Sequence, residues 1–346
     1  MYHPRLKGTH YNMGAKLGSM LKKYDVKLPI KLDSFQLQLG KESAKILKLH
    51  FPEAAEEIHG LTDLAGYDYE VFSAWMMCMG CCLSPSEKDL PEVRGCTAFA
   101  FTHNGNICCG RDNDLPPFLK KGSNSIYYKP QDKLSFILNT SSFINGEEGI
   151  NEKGLAVGMT FVIPKKEEIK PGLNSVFLVR YILENCKTVE EGIAALKSLP
   201  IASSCNIILA DNSSNMVVVE CNPCEINIRQ PEKSVTGENF IVTVNNFTSN
   251  EMTRHDGGEI NSFQSQTRYK TAYNALKNIP YTDSVEHTKA ILSGKHGFMC
   301  QYSKGLNFDT IWASVFDITG RRIYLAEGNP ARTKFKEDLR FKEFAK

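Results

Sequence analysis

The chain has 346 residues, 42% apolar and 23% charged, which is the balance of a globular protein with one large domain or two ordinary ones and excludes a disordered chain. Lys and Arg total 41 against 39 Asp and Glu, so no overall field draws nucleic acid or an acidic membrane, and a small molecule is the expected partner. The first residues lack the apolar core of a secretory signal and the most apolar run, 71–83, is too short to span a bilayer, so the expectation is a soluble, cytoplasmic protein whose eleven cysteines are mostly free thiols.

Apolar residues at three and four spacing predict helices over 12–28, 41–51, 52–66 and 69–83, punctuated by Pro52 and by Gly60 or Gly66. A polar breaker, "SPSEKDLPEVRG", ends this helical leader, and domain boundaries are set there: 1–95 and 96–346. Beyond it come short β-rich runs: "CTAFAF", "NICCGRDND", "SIYYKP", "KLSFILNTSSF", "GLAVGMTFVI", "CNIILAD", "NMVVVECN", "NFIVTVNNF", "TIWASVFDI" and "RIYLAEGNP". Helical patterns over about 174–197 and 265–277 lie between the strand groups, so the reading is an α+β layered fold with mainly antiparallel sheets.

Asn104-Gly105 is a two-residue hairpin signal, because both positions of a type I′ turn need positive φ. With that turn, Cys96 falls opposite Asn113, and Arg111 and Asp114 lie within one or two positions of the pair. An Arg beside a thiol favours the nucleophilic thiolate, and a carboxylate can hold an amine. That amine would exist only if the chain were cut between Gly95 and Cys96, and a glycine there offers an unhindered carbonyl to the next residue's thiol. A free α-amine, with an ordinary pKa near ~8, could then act as base for its own thiol. The hairpin alone leaves a plainer alternative open, a buried apolar cysteine beside a surface ion pair.

The residues "CTAFAF", Gly110-Arg111-Asp112-Asn113-Asp114, "GINEKGLAVGMTF" (149–161), "IVTVNNF" (241–247), "SQTRY" (265–269) and "TIWASVFDITGRRIYLAEGNP" (310–330) occur in the order found in one family. Together they make the chain resemble the cysteine-type N-terminal nucleophile hydrolases of the linear-amide C–N hydrolase, or choloylglycine hydrolase, group. The long leader looks most like the autoprocessed penicillin acyltransferase branch. The resemblance implies an αββα four-layer sandwich behind the helical leader, and a leader that stays associated after cleavage; a homo-oligomer is a further expectation. It implies Cys96 as nucleophile, Arg111 and Arg268 beside the sulfur and the substrate, and Asp114 orienting the amine. It also implies an oxyanion held by the Asn245 amide and a backbone N–H at Thr160, with Asn246 the alternative to Asn245. Several relatives carry Asn or Tyr where this chain has Thr160.

The implied reaction takes an acyl group from a linear amide or thioester onto Cys96 and passes it to water or an amine. It needs no metal or organic cofactor, and acyl-CoA enters only as a donor substrate. The alternatives are an N-acyl-amide hydrolase without acyl transfer and a conventional uncleaved Cys–His hydrolase. For the latter, His103 lies at the far end of the hairpin and His255 and His296 would have to approach through the fold. The pairs Cys78/Cys81 and Cys221/Cys224 have zinc-ligand spacing but lie far apart without a matching His pair. Phe99, Tyr127, Tyr128, Phe143, Phe161 and Phe247 read as core, with some available to line an acyl pocket.

Overall fold

The computed structural model describes residues 1–28, 30–83, 95–259, 261–279, 283–305 and 307–345; the polar breaker, apart from Gly95, lies outside the described residues. A strand, β1 (Arg5–Gly8), precedes four helices: α1 (His10–Lys23), α2 (Ser34–His50), α3 (Pro52–Ala65) and α4 (Tyr69–Cys78). Local chemistry sets their ends. Thr9, Asp33 and Asp68 accept the first free N–H groups of α1, α2 and α4, Pro52 opens α3, and Gly66 closes it at φ 77°.

The hairpin β2 (Gly95–His103) and β3 (Asn106–Leu115) turns at Asn104 (φ 50°) and Gly105 (φ 77°). Its register pairs Gly95 with Asp114, Cys96 with Asn113 and Ala98 with Arg111, as the Asn-Gly turn predicts. Next come β4 (Asn124–Pro130), β5 (Phe136–Thr140), β6 (Glu148–Asn151), β7 (Ala156–Phe161), α5 (Ser175–Asn185), α6 (Val189–Ser198), β8 (Cys205–Ala210), β9 (Met216–Cys221) and β10 (Ile226–Arg229). The chain continues through β11 (Glu232–Lys233), β12 (Asn239–Thr243), α7 (Ser265–Lys277), α8 (Ser284–Leu292), β13 (Tyr302–Ser303), β14 (Phe308–Asp317), β15 (Arg322–Ala326) and β16 (Lys336–Glu337).

One eight-stranded sheet has the order β1-β4-β5-β6-β7-β8-β9-β10, and the other runs β11-β12-β2-β3-β14-β15-β16 with β13 on β14. Alternate side chains sort the layers. Val157, Ile207, Leu209 and Val219 pack with Met13, Ile58, Phe72, Phe177 and Leu196 of the N-terminal and central helices. Their neighbours Ala156, Ile208, Ala210 and Val218 meet Ala98, Ala100, Cys109, Ile241 and Phe316 between the sheets. Phe99, Phe101, Phe240 and Val315 lie against Ala272, Leu276, Val285 and Ile291 of α7 and α8. Helices, sheet, sheet, helices is the αββα sandwich that the resemblance implies.

Three differences from the sequence reading have local causes. The N-terminal segment is not all helix: β1 pairs in parallel with β4, Arg5 opposite Tyr127, so it forms the edge of the first sheet. The single helical segment expected over about 174–197 is two helices, because Cys186 leaves the helical conformation and Thr188 caps a new start through Glu191 N–H. The short strands β6 and β10 and the helix α8 had no clear pattern to announce them.

The N-terminal helices are tied to the rest by a buried ionic group. Arg180 of α5 pairs with Glu57 of α3 at 2.8 Å and with Glu184 at 2.8 Å, donates to the Ile144 carbonyl and lies 4.0 Å over the Tyr128 ring. His10 of α1 completes it on Glu184, and the Tyr128 hydroxyl donates to Glu57.

Candidate active site

Cys96 is the second residue of β2, and by alternation its side chain shares with Ala98 the face turned toward the other sheet. β12 runs beside β2 with Thr243 opposite Ala98, and that register carried past the end of β12 brings Asn245 level with Cys96. The Asn245 side chain there takes over from the ladder: Oδ1 accepts the Cys96 N–H at 2.8 Å and Arg268 Nη2 at 2.8 Å. Both neighbours are donors, which fixes the amide's orientation, and Nδ2 donates to the Phe161 carbonyl at 2.9 Å. The Asn245 N–H expected at an oxyanion is thus already engaged, since two donors claim the oxygen and turn the NH2 away.

Arg111 Nη2 lies 3.1 Å from Cys96 Sγ. Its guanidinium is held in plane by Nε on the Met159 carbonyl at 2.8 Å and Nη1 on Glu148 Oε2 at 3.1 Å. Gly158 on β7 leaves the space, since a Cβ there would stand 3.2 Å from Arg111 Cδ. Glu148, absent from the sequence candidates, is fully buried and accepts at its other oxygen from Asn139 Nδ2 at 2.8 Å, Trp312 Nε1 at 2.9 Å and Ser314 Oγ. The thiol's own proton has an acceptor in Asn113 Oδ1 at 3.6 Å. Glu147, anchored on Ser141, adds a second carboxylate whose charge is felt at Cys96.

Thr97, Asp112 and Asp114 alternate onto the opposite face, under α7. Arg268 of α7, with no exposure, donates from Nη1 to the Cys96 carbonyl at 2.5 Å and to Thr97 Oγ1 at 2.8 Å, and stands 3.9 Å from Asp114 Oδ2. Its hydrogen bonds therefore grip the Cys96 backbone rather than the sulfur. Asp114 also accepts from Gln301 Nε2 at 2.9 Å and from Thr310 Oγ1. Glycine at 95 is a matter of space: a Cβ would fall 2.5 Å from Gln301 Nε2 and 2.9 Å from Asp114 Oδ2. Asp112 is buried and has no hydrogen-bond partner on either oxygen among the described residues.

Burial pushes the Cys96 thiol above its ordinary pKa; the Arg111 and Arg268 charges oppose this, and Asp114 and Glu147 add to it. Burial also raises the carboxyls of Asp114 and, much further, Asp112, where the Asp114 charge adds to the effect. Cys96 is 4% exposed, and the raised pKa favours the protonated thiol.

Thr160 is buried on β7, its hydroxyl donating to the Val244 carbonyl at 2.6 Å and accepting from Asn206 Nδ2 at 3.1 Å. Asn246 bonds Ser265 at 2.6 Å and the Phe247 carbonyl at 2.8 Å, so Asn245 is the one that meets Cys96. His103 sits at the far end of the hairpin, opposite Asn106. All eleven cysteines are unbridged, and among the described residues no group of three His, Cys, Asp or Glu side chains is placed to hold a metal ion. Among the described residues, too, no helix is long and apolar enough to cross a membrane.

No curated protein matches the chain. Among solved structures, a variant of the conjugated bile acid hydrolase from Clostridium perfringens superposes with a TM-score of 0.52 at 14% identity, covering 70% of this chain and 92% of that one. A second variant of that hydrolase gives 0.46 at 14%, covering 70% and 96%. Penicillin V acylase from Agrobacterium tumefaciens gives 0.43 at 17%, covering 67% and 83%. The family model described as acyl-coenzyme A:6-aminopenicillanic acid acyl-transferase matches residues 101–332, which takes in Arg111, Asp114, Asn245 and Arg268 and begins just after Cys96. With more than half of its length inside that match, the chain belongs to the acyl-coenzyme A:6-aminopenicillanic acid acyl-transferase family.

Proposed function

We propose that this protein is an autoprocessed cysteine N-terminal nucleophile enzyme that cleaves or transfers the acyl group of a linear amide. The observation that carries the proposal is the convergence of site residues on both the nitrogen and the sulfur of one residue. Cys96 N–H is bound by Asn245 at 2.8 Å, its Sγ by Arg111 at 3.1 Å and its carbonyl by Arg268 at 2.5 Å. A main-chain nitrogen needs such a setting if it is to become an amine that works.

In the maturation step Sγ gives up its proton and bonds to the Gly95 carbonyl carbon. The Gly95–Cys96 C–N bond then breaks, the nitrogen taking a proton and leaving as the new α-amine. Water opens the resulting thioester, giving a Gly95 carboxylate and a free thiol. In turnover the α-amine takes the Sγ proton, sulfur attacks the substrate carbonyl, and the amine product departs with that proton. Water or an acceptor amine then removes the acyl group from Cys96. The products of the cut are a leader of residues 1–95 and a catalytic chain of 96–346, kept together by the Arg180 group and by β1 in the sheet.

The family's name speaks of acyl transfer with acyl-coenzyme A, and the structural relatives are named for penicillin V and conjugated bile acids. N-acyl amides and acyl thioesters are accordingly the substrate classes to test. A conventional cysteine hydrolase would need a His at the thiol, whereas among the described residues the polar partners of this sulfur are Arg111 and Asn113. Denaturing mass spectrometry tests the reading: wild type should yield 1–95 and 96–346, and Cys96→Ala should stay whole. A fully active chain with residue 1 still joined to residue 346 would sink it.

A further inference from the structure

We infer that Asn113 is a further catalytic residue, whose spare side-chain N–H binds the carbonyl oxygen of the acyl group as it joins Cys96. The inference rests on Cys96 being the nucleophile. Asn113 is the direct cross-strand partner of Cys96, so the two side chains stand together on the face between the sheets. Arg111 Nη2 occupies one side of the sulfur, and the thiol proton points to Asn113 Oδ1 at 3.6 Å. That leaves Asn113 Nδ2, in a residue 1% exposed, with no partner among the described residues.

A buried amide N–H without an acceptor is costly, and a protein that keeps one beside a reactive sulfur holds a place for an acceptor to arrive. Of the two amides at Cys96, Asn245 has both ends committed, to Cys96 and Arg268 through Oδ1 and to Phe161 through Nδ2. Asn113 has its donor end without a partner among the described residues. When Sγ bonds to a substrate carbonyl carbon, the π pair of the carbonyl moves onto its oxygen, and the new anion lies within the reach of an amide already touching that sulfur. As the C–N bond breaks the pair returns to the carbonyl, the amine leaves with the proton held on the α-amine, and the Asn113 hydrogen bond relaxes. The donor acts only while charge is on the oxygen, which is where such a contact accelerates the step.

The test uses the full-length protein and p-nitrophenyl butyrate, reading the burst of nitrophenolate as Cys96 is acylated. Asn113→Leu, assayed per cleaved chain, should acylate about 10²–10³-fold more slowly than wild type. Asn113→Asp, isosteric but without the donor at neutral pH, should be similarly slow, and its rate relative to wild type should climb as pH falls and its carboxyl gains an O–H. Wild-type bursts from both variants, or a relative rate for Asn113→Asp that does not change with pH, would overturn the inference. Should Asn113→Leu fail to fold, the pH profile of Asn113→Asp decides. A wild-type protein that gives no burst and no cut refutes Cys96 as the nucleophile, and the role of Asn113 with it; a normal wild-type burst with unaffected variants refutes Asn113 alone.

Discussion

At Cys96 two effects compete. Arg111 at 3.1 Å favours the thiolate, but burial of the sulfur outweighs it and the thiol is pushed up. Alkylation of the uncut thiol should therefore be slow and rise with pH beyond the ordinary thiol range, whereas opening of the chain at Gly95 should speed it; a rate independent of cleavage would contradict this. Glu148→Gln keeps the acceptor oxygen for Asn139, Trp312 and Ser314 and removes the charge that anchors Arg111, so we expect a folded protein whose acylation is slower by roughly tenfold, one pKa unit's worth. Gly95→Ala drives a methyl into Gln301 and Asp114 and should impair maturation before it impairs folding, as cleavage gels against melting curves would separate. Asp112 gives a pH prediction. Its folded pKa is raised, so above the ordinary Asp value of about 4 the folded chain keeps a proton that the unfolded chain has lost, and stability falls as pH rises by about 1.4 kcal/mol per unit until the folded pKa is reached. Asp112→Asn removes that slope, so its melting temperature should exceed wild type's by a margin that widens from acid to neutral pH.

Among the elements, the hairpin was the most legible, because its register depends on two adjacent residues, Asn104 and Gly105, and on nothing distant. From it Arg111 and Asn113 could be placed at Cys96 before any relative was considered. Glu148 could not, since "NGEEGIN" reads as a polar turn, and what makes Glu148 important is its contact with Trp312 and Ser314 far along the chain. Likewise spacing alone gives no sign that α7 would set Arg268 on the Cys96 carbonyl from the helix side. β1 was missed because four residues, "RLKG", with one buried side chain, carry too little pattern to declare a strand. The Arg180 group is open to a direct test: Arg180→Leu leaves Glu57 and Glu184 buried without their cation and should cost about 3–5 kcal/mol, read as a fall in the denaturant midpoint.

On the scale of the whole molecule, the αββα order follows from which faces of two sheets are apolar, and the site lies where β2 and β3 enter the inner layer. The strand β1 adds something else. It lies at one end of the chain relative to Gly95 while its hydrogen-bonding partner, β4, lies at the other. Before cleavage the two are joined covalently, and unfolding releases one molecule from one. If the chain is cut at Gly95–Cys96 as proposed, the same sheet edge becomes a contact between two polypeptides, and unfolding releases two particles from one, so mass action enters the melting equilibrium. The matured protein should then melt at a temperature that rises with its concentration, while Cys96→Ala, held as one chain, should melt at a temperature that dilution leaves unchanged.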